Sequence, residues 1–334
     1  MNIYHLLKLN RKINNHRVKF FAIWFLHVFN KRYLAVNLDP VLACNLRCKM
    51  CYFTDKEYVK KLKGQFKDID LDLVAKTIFK RALKLQVGCG TEPTLYKKLP
   101  ELISLGKQYK VPYITLTTNA NLLNAKSIEE LLIAGLNEFT ISLHGVTKES
   151  YENYMQKGNY EKFHDVFRSF QNLKKNYDFN VRINYTFNKD NLYELNDFFD
   201  HFDGKSFDIL QIRPIRKIGN TEYNDFNLDS VREDYPIVIK KIKQACLENK
   251  ITLLASEEIP KEKSVNDSSF IYDYTFCYVS PTSFWKEDFN WKEESFNSYA
   301  KKTGWGKQLF MNIFKSRNEL RSLSNRLNYE IELN

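Results

Sequence analysis

The chain has 334 residues, 43% hydrophobic and 27% charged, which argues against global disorder and allows a substantial core. A formal net charge of +11 favours anionic partners, but no nucleic-acid module is recognisable and no nucleic-acid partner is expected. Six cysteines, three of them between positions 44 and 51, argue against a disulfide framework and fit a reducing, cytoplasmic setting.

Residues 1–32 read as a basic amphipathic N-terminal helix carrying Lys8, Arg11, Lys12, Arg17, Lys19, Lys31 and Arg32. Its apolar run, 20–29, is too short for a bilayer span, which needs about 20 residues. The helix is expected to bury Phe20, Trp24 and Phe25 against the rest of the chain; peripheral contact with the inner membrane surface is the second reading. From residue 33 strand and helix patterns alternate. Strands are expected over 33–38, 83–87, 113–118, 138–143, 181–187, 207–212 and 251–255. Helices are expected over 70–83, 98–109, 124–134, 148–175 in two pieces, 191–202 and 229–248. This alternation predicts an α/β fold with a parallel sheet, residues 33–255 forming the core domain. Residues 256–334 read as a C-terminal extension: a polar loop over 261–269, a stretch punctuated by Trp285, Trp291 and Trp305, and a basic helix over 306–328.

Cys44, Cys48 and Cys51 have the spacing C-x3-C-x2-C on the loop after the first strand. Thiolates this close can converge on one metal centre. A structural zinc takes four ligands, and no second Cys or His pair follows at short spacing. Three thiolates leave one iron of a cubane cluster open to a non-protein ligand.

This motif resembles the signature of radical S-adenosylmethionine (radical SAM) enzymes. The resemblance implies a partial parallel (β/α)6 barrel, a [4Fe-4S] cluster on Cys44, Cys48 and Cys51, and SAM chelated by the open iron. It also implies reductive cleavage of SAM to a 5′-deoxyadenosyl radical that abstracts hydrogen from substrate, with ferredoxin or flavodoxin as reductant. The second strand ends in Gly88-Cys89-Gly90-Thr91-Glu92-Pro93, similar to the family's GGEP-type segment, which implies that Gly88, Gly90 and Glu92 lie at the SAM amino group. By the same resemblance Asn119 and Ser142, at later strand ends, contact SAM, and His144 faces substrate as a catalytic candidate. Strand five carries Arg182 and Asn184 on one face, and Asn184 joins the cofactor set; strand six ends in Arg213-Pro214, with Gly219 downstream.

The strand ends resemble those of SPASM/twitch-type peptide-modifying members, without the cysteines of an auxiliary cluster, since only Cys246 and Cys277 follow Cys89. A peptide is therefore the first substrate expectation, and a glycan or lipid-linked precursor the second. From a different class, the rival is a non-catalytic iron–sulfur scaffold or sensor that docks a partner through its basic helices.

Overall fold

Period-two alternation along the strands builds this molecule. The computed structural model describes residues 12–13, 15–259 and 270–321. The expected loop over 261–269, the start of the N-terminal helix and the end of the basic helix over 306–328 lie outside the described residues. The strands are β1 (Leu34–Leu38), β2 (Ala82–Val87), β3 (Tyr113–Thr118), β4 (Glu138–Leu143), β5 (Asn180–Phe187), β6 (Ile209–Pro214), β7 (Thr252–Leu254), β8 (Phe276–Ser280) and β9 (Ser283–Phe284). They form one sheet in the order β9-β8-β1-β2-β3-β4-β5-β6-β7, parallel except for the β8–β9 hairpin. Strands one to seven follow one another in sequence, as in an open α/β barrel.

One face of the sheet is apolar. Leu85, Ile114, Phe139, Ile141 and Ile183 are fully buried there. The covering helices include α2 (Asp68–Ile78), α3 (Leu99–Gln108), α4 (Ala125–Ile133), α5 (Lys148–Tyr154) and α6 (Tyr160–Leu173). Phe139 meets Phe170 of α6 with ring centroids 4.9 Å apart. Asn124 and Asn159 accept hydrogen bonds from the first turns of α4 and α6, which fixes where these helices start. The expected helix over 229–248 is divided: Asp229–Val231 is one 3-10 turn, and α7 (Tyr235–Glu248) begins with Pro236 in its first turn. The stretch 191–202 likewise opens as a 3-10 helix, Leu192–Asp197, before the short helix Phe198–His201.

The opposite face is polar. Residues two apart put Lys84, Gln86, Thr115, Glu138, Arg182 and Gln211 on the concave side. Glu138 is completely buried and pairs with Arg182 at 2.7 Å. Tyr113 donates to Glu138 Oε2 at 2.7 Å, and Arg182 also donates to Gln211 Oε1 at 3.1 Å. Burial pushes the Lys84 ammonium down to about 8, with Arg182 adding to the effect.

The segment read as a C-terminal extension enters the main sheet. β8 pairs in parallel with β1, so Cys277 lies opposite Val36 and is wholly buried. N-terminal to the sheet, α1 (His16–Val28) packs on α8 (Trp305–Asn312). Beyond α1, Arg32 donates to the carbonyls of Phe79, Ala82 and Tyr109, where β2 and β3 begin. The expectation for α1 is corrected at one residue: Phe20 is buried and Trp24 partly so, but Phe25 is 47% exposed. Five positions after Phe20, it lies on the far side of the helix. No described helix is long and apolar enough to cross a membrane.

Glu138→Ala should lower the unfolding free energy by about 3–5 kcal/mol in urea titrations, because it strands the Arg182 guanidinium without a buried counter-charge. A loss near zero would mean that the concave network contributes no stability.

Candidate functional site

The carboxyl-terminal ends of β1 to β6 converge on one cavity, and loops after these strands line it. Cys44, Cys48, Cys51, Gly90, Glu92, Asn119, Ser142, His144 and Asn184 all line it. Gly88 shapes the turn from behind. Its φ is +84°, and a Cβ there would sit 2.3 Å from the Thr117 carbonyl oxygen.

The cysteine loop is held from several sides. Arg47–Cys48 pairs antiparallel with Met155–Gln156, and Lys49 N–H donates to the Tyr154 carbonyl at 2.9 Å. Arg47 donates to the carbonyls of Cys44 and Leu46 at 2.8 and 2.7 Å. Asn119 Nδ2 donates to Asn45 Oδ1 at 2.8 Å, and Glu92 N–H donates to the Ala43 carbonyl at 2.9 Å. Burial pushes all three thiols up, Cys44 to about 12. Nearby positive charge of the kind a metal carries would reverse that shift. Among the described residues no three such side chains close on one point as around a single ion. Three thiols lining one cavity are a donor set of the kind that holds an iron–sulfur cluster.

Glu92 sits 2% exposed at the head of the site. Its Oε1 accepts from the Thr94 hydroxyl and the Thr118 hydroxyl, each at 2.6 Å, and its Oε2 accepts from Asn119 N–H at 2.8 Å. Burial raises its pKa despite these donors. The carboxylate thus joins the ends of β2 and β3 and keeps one oxygen with room for another donor. The polar atoms of the cavity lining that are buried with no hydrogen-bond partner among the described residues include Asn184 Oδ1 and His144 Nδ1. Buried polar atoms are seldom left so, and a bound polar ligand would satisfy both. The residues present therefore fit a thiolate-held cluster with a polar cofactor beside it.

Sequence reasoning missed Asp39. It is completely buried at the end of β1. Its Oδ1 accepts from Cys89 N–H at 2.7 Å and the Thr91 hydroxyl at 3.0 Å, and its Oδ2 from Gly90 N–H at 3.2 Å and the Tyr278 hydroxyl at 2.9 Å. Thr91, standing where the family-like segment has glycine, is thereby given a partner. Tyr52, whose hydroxyl donates to the Gly90 carbonyl, and Arg216 and Ile218 at the rim were also missed. Their one sequence signal is position just beyond a strand or a cysteine. Cys246 and Cys277 are buried away from the cavity, as small apolar side chains.

His144 is held neutral: burial, then the Arg213 guanidinium, pull its pKa down to about 4. His27, which faces Arg81 at 3.1 Å, is lowered to about 4 by burial and then by that cation. An unfolded histidine titrates near 6.5, so the unfolded state takes up these protons first as pH falls. Stability is fully present above pH 6.5 and declines toward pH 4, by at most about 1.4 kcal/mol per pH unit per histidine and less for half-buried His27. Urea midpoints should therefore drop between pH 7 and 5, and a His27→Gln, His144→Asn variant should show a flatter profile. An unchanged slope in that variant would remove both residues from the account.

The model of the Radical SAM superfamily matches residues 39–201, which include the cysteine loop and the ends of β2 to β5. The chain is 33% identical over 110 residues to a probable GTP 3′,8-cyclase of Saccharolobus solfataricus, covering 33% of this chain and 34% of that protein. It is 30% identical over 152 residues to a probable GTP 3′,8-cyclase of Methanocaldococcus jannaschii, covering 45% of this chain and 47% of that one. The chain thus spans about a third to a half of the length of the curated relatives it matches. Among solved structures, Streptococcus suis SuiB bound to S-adenosylmethionine superimposes with a TM-score of 0.62 at 14% identity, covering 88% of this chain and 71% of that one. SuiB bound to the precursor peptide SuiA gives 0.58 at 16% identity, covering 97% and 75%. At these identities the structures report the fold, here the α/β fold of SAM-binding neighbours. Residues 39–201 of this chain thus match the Radical SAM superfamily, and that likeness supports a [4Fe-4S] cluster and S-adenosylmethionine as cofactors.

Proposed function

We propose that the protein is a radical SAM enzyme that cleaves SAM reductively and abstracts hydrogen from a peptide. The observation that carries this reading is the convergence of three thiols on a fixed loop with unpartnered Asn184 Oδ1 and His144 Nδ1 in one cavity. Cys44, Cys48 and Cys51 would hold the cluster, which when bound supplies one electron to SAM from a donor such as ferredoxin or flavodoxin. Gly88 and Gly90 let the backbone approach the methionine part. Glu92 would orient the ends of β2 and β3 around it and accept from its amino group. Asn119 ties that cofactor region to the cysteine loop, and Ser142 and Asn184 line the wall beside it. His144, neutral at pH 7, would face substrate as a hydrogen-bonding group rather than as a cation.

The fold shared with peptide-bound SuiB supports a peptide as substrate class. A nucleotide is the second reading, favoured by Arg213 and Arg216 in the cavity and by the relatives named as GTP cyclases. When a peptide and a nucleotide are added singly, only the class that is the substrate should accelerate SAM consumption, which separates the two.

Reduced under anaerobic conditions, the protein should release 5′-deoxyadenosine from SAM. Cys44→Ala, Cys48→Ala and Cys51→Ala should each abolish this together with the iron content, whereas Cys246→Ala and Cys277→Ala should keep both. Glu92→Gln should keep its iron and bind SAM about tenfold more weakly, the scale of one lost charge-assisted hydrogen bond. Full iron in the Cys48→Ala protein would sink the ligand assignment, and unchanged SAM affinity in Glu92→Gln would remove that carboxylate from the SAM site.

A further inference from the structure

Fifteen large hydrophobic side chains stand exposed among the described residues, and eight of them belong to α1, α8 and the turns just beyond them. On the α1 side these are Val18, Phe21, Phe25, Val28 and Phe29. Phe310, Met311 and Phe314 stand on the α8 side, Phe314 at 65% exposure. The two sets are continuous: the rings of Trp24 and Phe310 lie 5.2 Å apart, those of Phe25 and Phe29 4.5 Å, and those of Phe310 and Phe314 5.3 Å. The other seven exposed hydrophobics are scattered over the rest of the chain. A contiguous aromatic face of this kind marks an interaction surface, whereas single exposed side chains do not.

The charge around the face is mainly positive, although Glu294 pairs with Lys302 at 3.0 Å and Glu319 accepts from Ser316 at 2.7 Å. No Asp or Glu precedes Asp39, and none occurs over 295–318, which carries Lys301, Lys302, Lys307, Lys315 and Arg317. Two shallow depressions flank the aromatics, one lined by Lys301 and Lys307 with His27 and Asn30, the other by Arg17 and Arg317 with Asn15 and Asn318. Neither lining includes a carboxylate.

We propose that α1 and α8 together form a docking face for an anionic lipid bilayer. The aromatic rings would enter the boundary between headgroups and acyl chains, and the flanking lysines and arginines would meet lipid phosphates. A second copy of this chain is the weaker occupant, because a symmetric contact would bring two cationic rims together. The face lies at the ends where β1 and β2 begin, away from the cavity, so the proposal stands independently of the reading of that cavity.

Flotation of the full-length protein with vesicles tests it. Binding is expected to vesicles containing phosphatidylglycerol at low salt, to weaken at high salt, and to be weak on pure phosphatidylcholine. Phe25→Ser with Phe314→Ser should cut vesicle affinity about tenfold or more, and Lys301→Glu with Lys307→Glu should cut it about fivefold per cation. Iron content, SAM cleavage and the urea midpoint should stay unchanged in these variants, since all four side chains stand in solvent. Absence of binding to anionic vesicles at low salt would overturn the proposal. So would equal affinity of the aromatic variant. A dimer in solution that the aromatic variant dissolves would assign the face to a second copy. Vesicle binding that emerges only after removal of residues 1–11 or 322–334 would assign it to this chain's own termini.

Discussion

One buried carboxylate sets the geometry on which the site depends. Asp39 stands at the end of β1 and takes donors from Cys89, Gly90, Thr91 and Tyr278, so it joins β1, the turn after β2, and β8. Hydrogen bonding continues from there. The fixed turn carries Glu92, whose oxygens gather Thr118 and Asn119 from the end of β3. Asn119 in turn holds Asn45 in the cysteine loop. A chain of hydrogen bonds, charge-assisted at Asp39 and Glu92, thus runs from the end of β1 to the loop of thiols. Such a network is worth most in a dry interior, and it is costly when any member is missing. Rigidity of this kind is what a cluster and a cofactor that must meet at one iron require.

The concave face follows from the same economy of placement. Parallel sheets buried on both faces usually read as unbroken apolar runs. Here most of the alternate residues of β2 to β6 are polar, and the interior they share is neutralised by pairing: Glu138 with Arg182, Tyr113 with Glu138, Arg182 with Gln211. Lys84 donates to the neutral Gln86 amide oxygen at 3.1 Å, which agrees with its lowered pKa. Near the strand starts this interior is closed by its own side chains, and nearer the strand ends it opens into the cavity.

Much of this was legible in the sequence because alternation is local. Val-, Ile- and Thr-rich runs with period two located β1 to β7 to within a few residues, and the turn residues beyond them pointed to the cavity lining. β8 was not legible. Phe276–Ser280 follows a charged tract, and what makes it a strand is its pairing with β1, some 240 residues earlier in the chain. Asp39 was missed for a related reason. An aspartate before proline reads as a turn, and its partners Cys89, Thr91 and Tyr278 are distant in sequence. The exposure of Phe25 escaped because an apolar run of ten residues encircles a helix, and composition alone does not say which side another helix will cover.

The opposition between strand starts and strand ends has a consequence for reach. Arg32 fixes the exit of α1 to the carbonyls where β2 and β3 begin, while the cavity gathers the residues where those strands finish. Six residues of strand span roughly 20 Å. With its strands upright over the support, a molecule resting on its aromatic helices would hold the cavity about 20 Å from that plane. A substrate anchored in the same sheet of lipid would need at least about six extended residues of tether to arrive there. A freely diffusing one would need none.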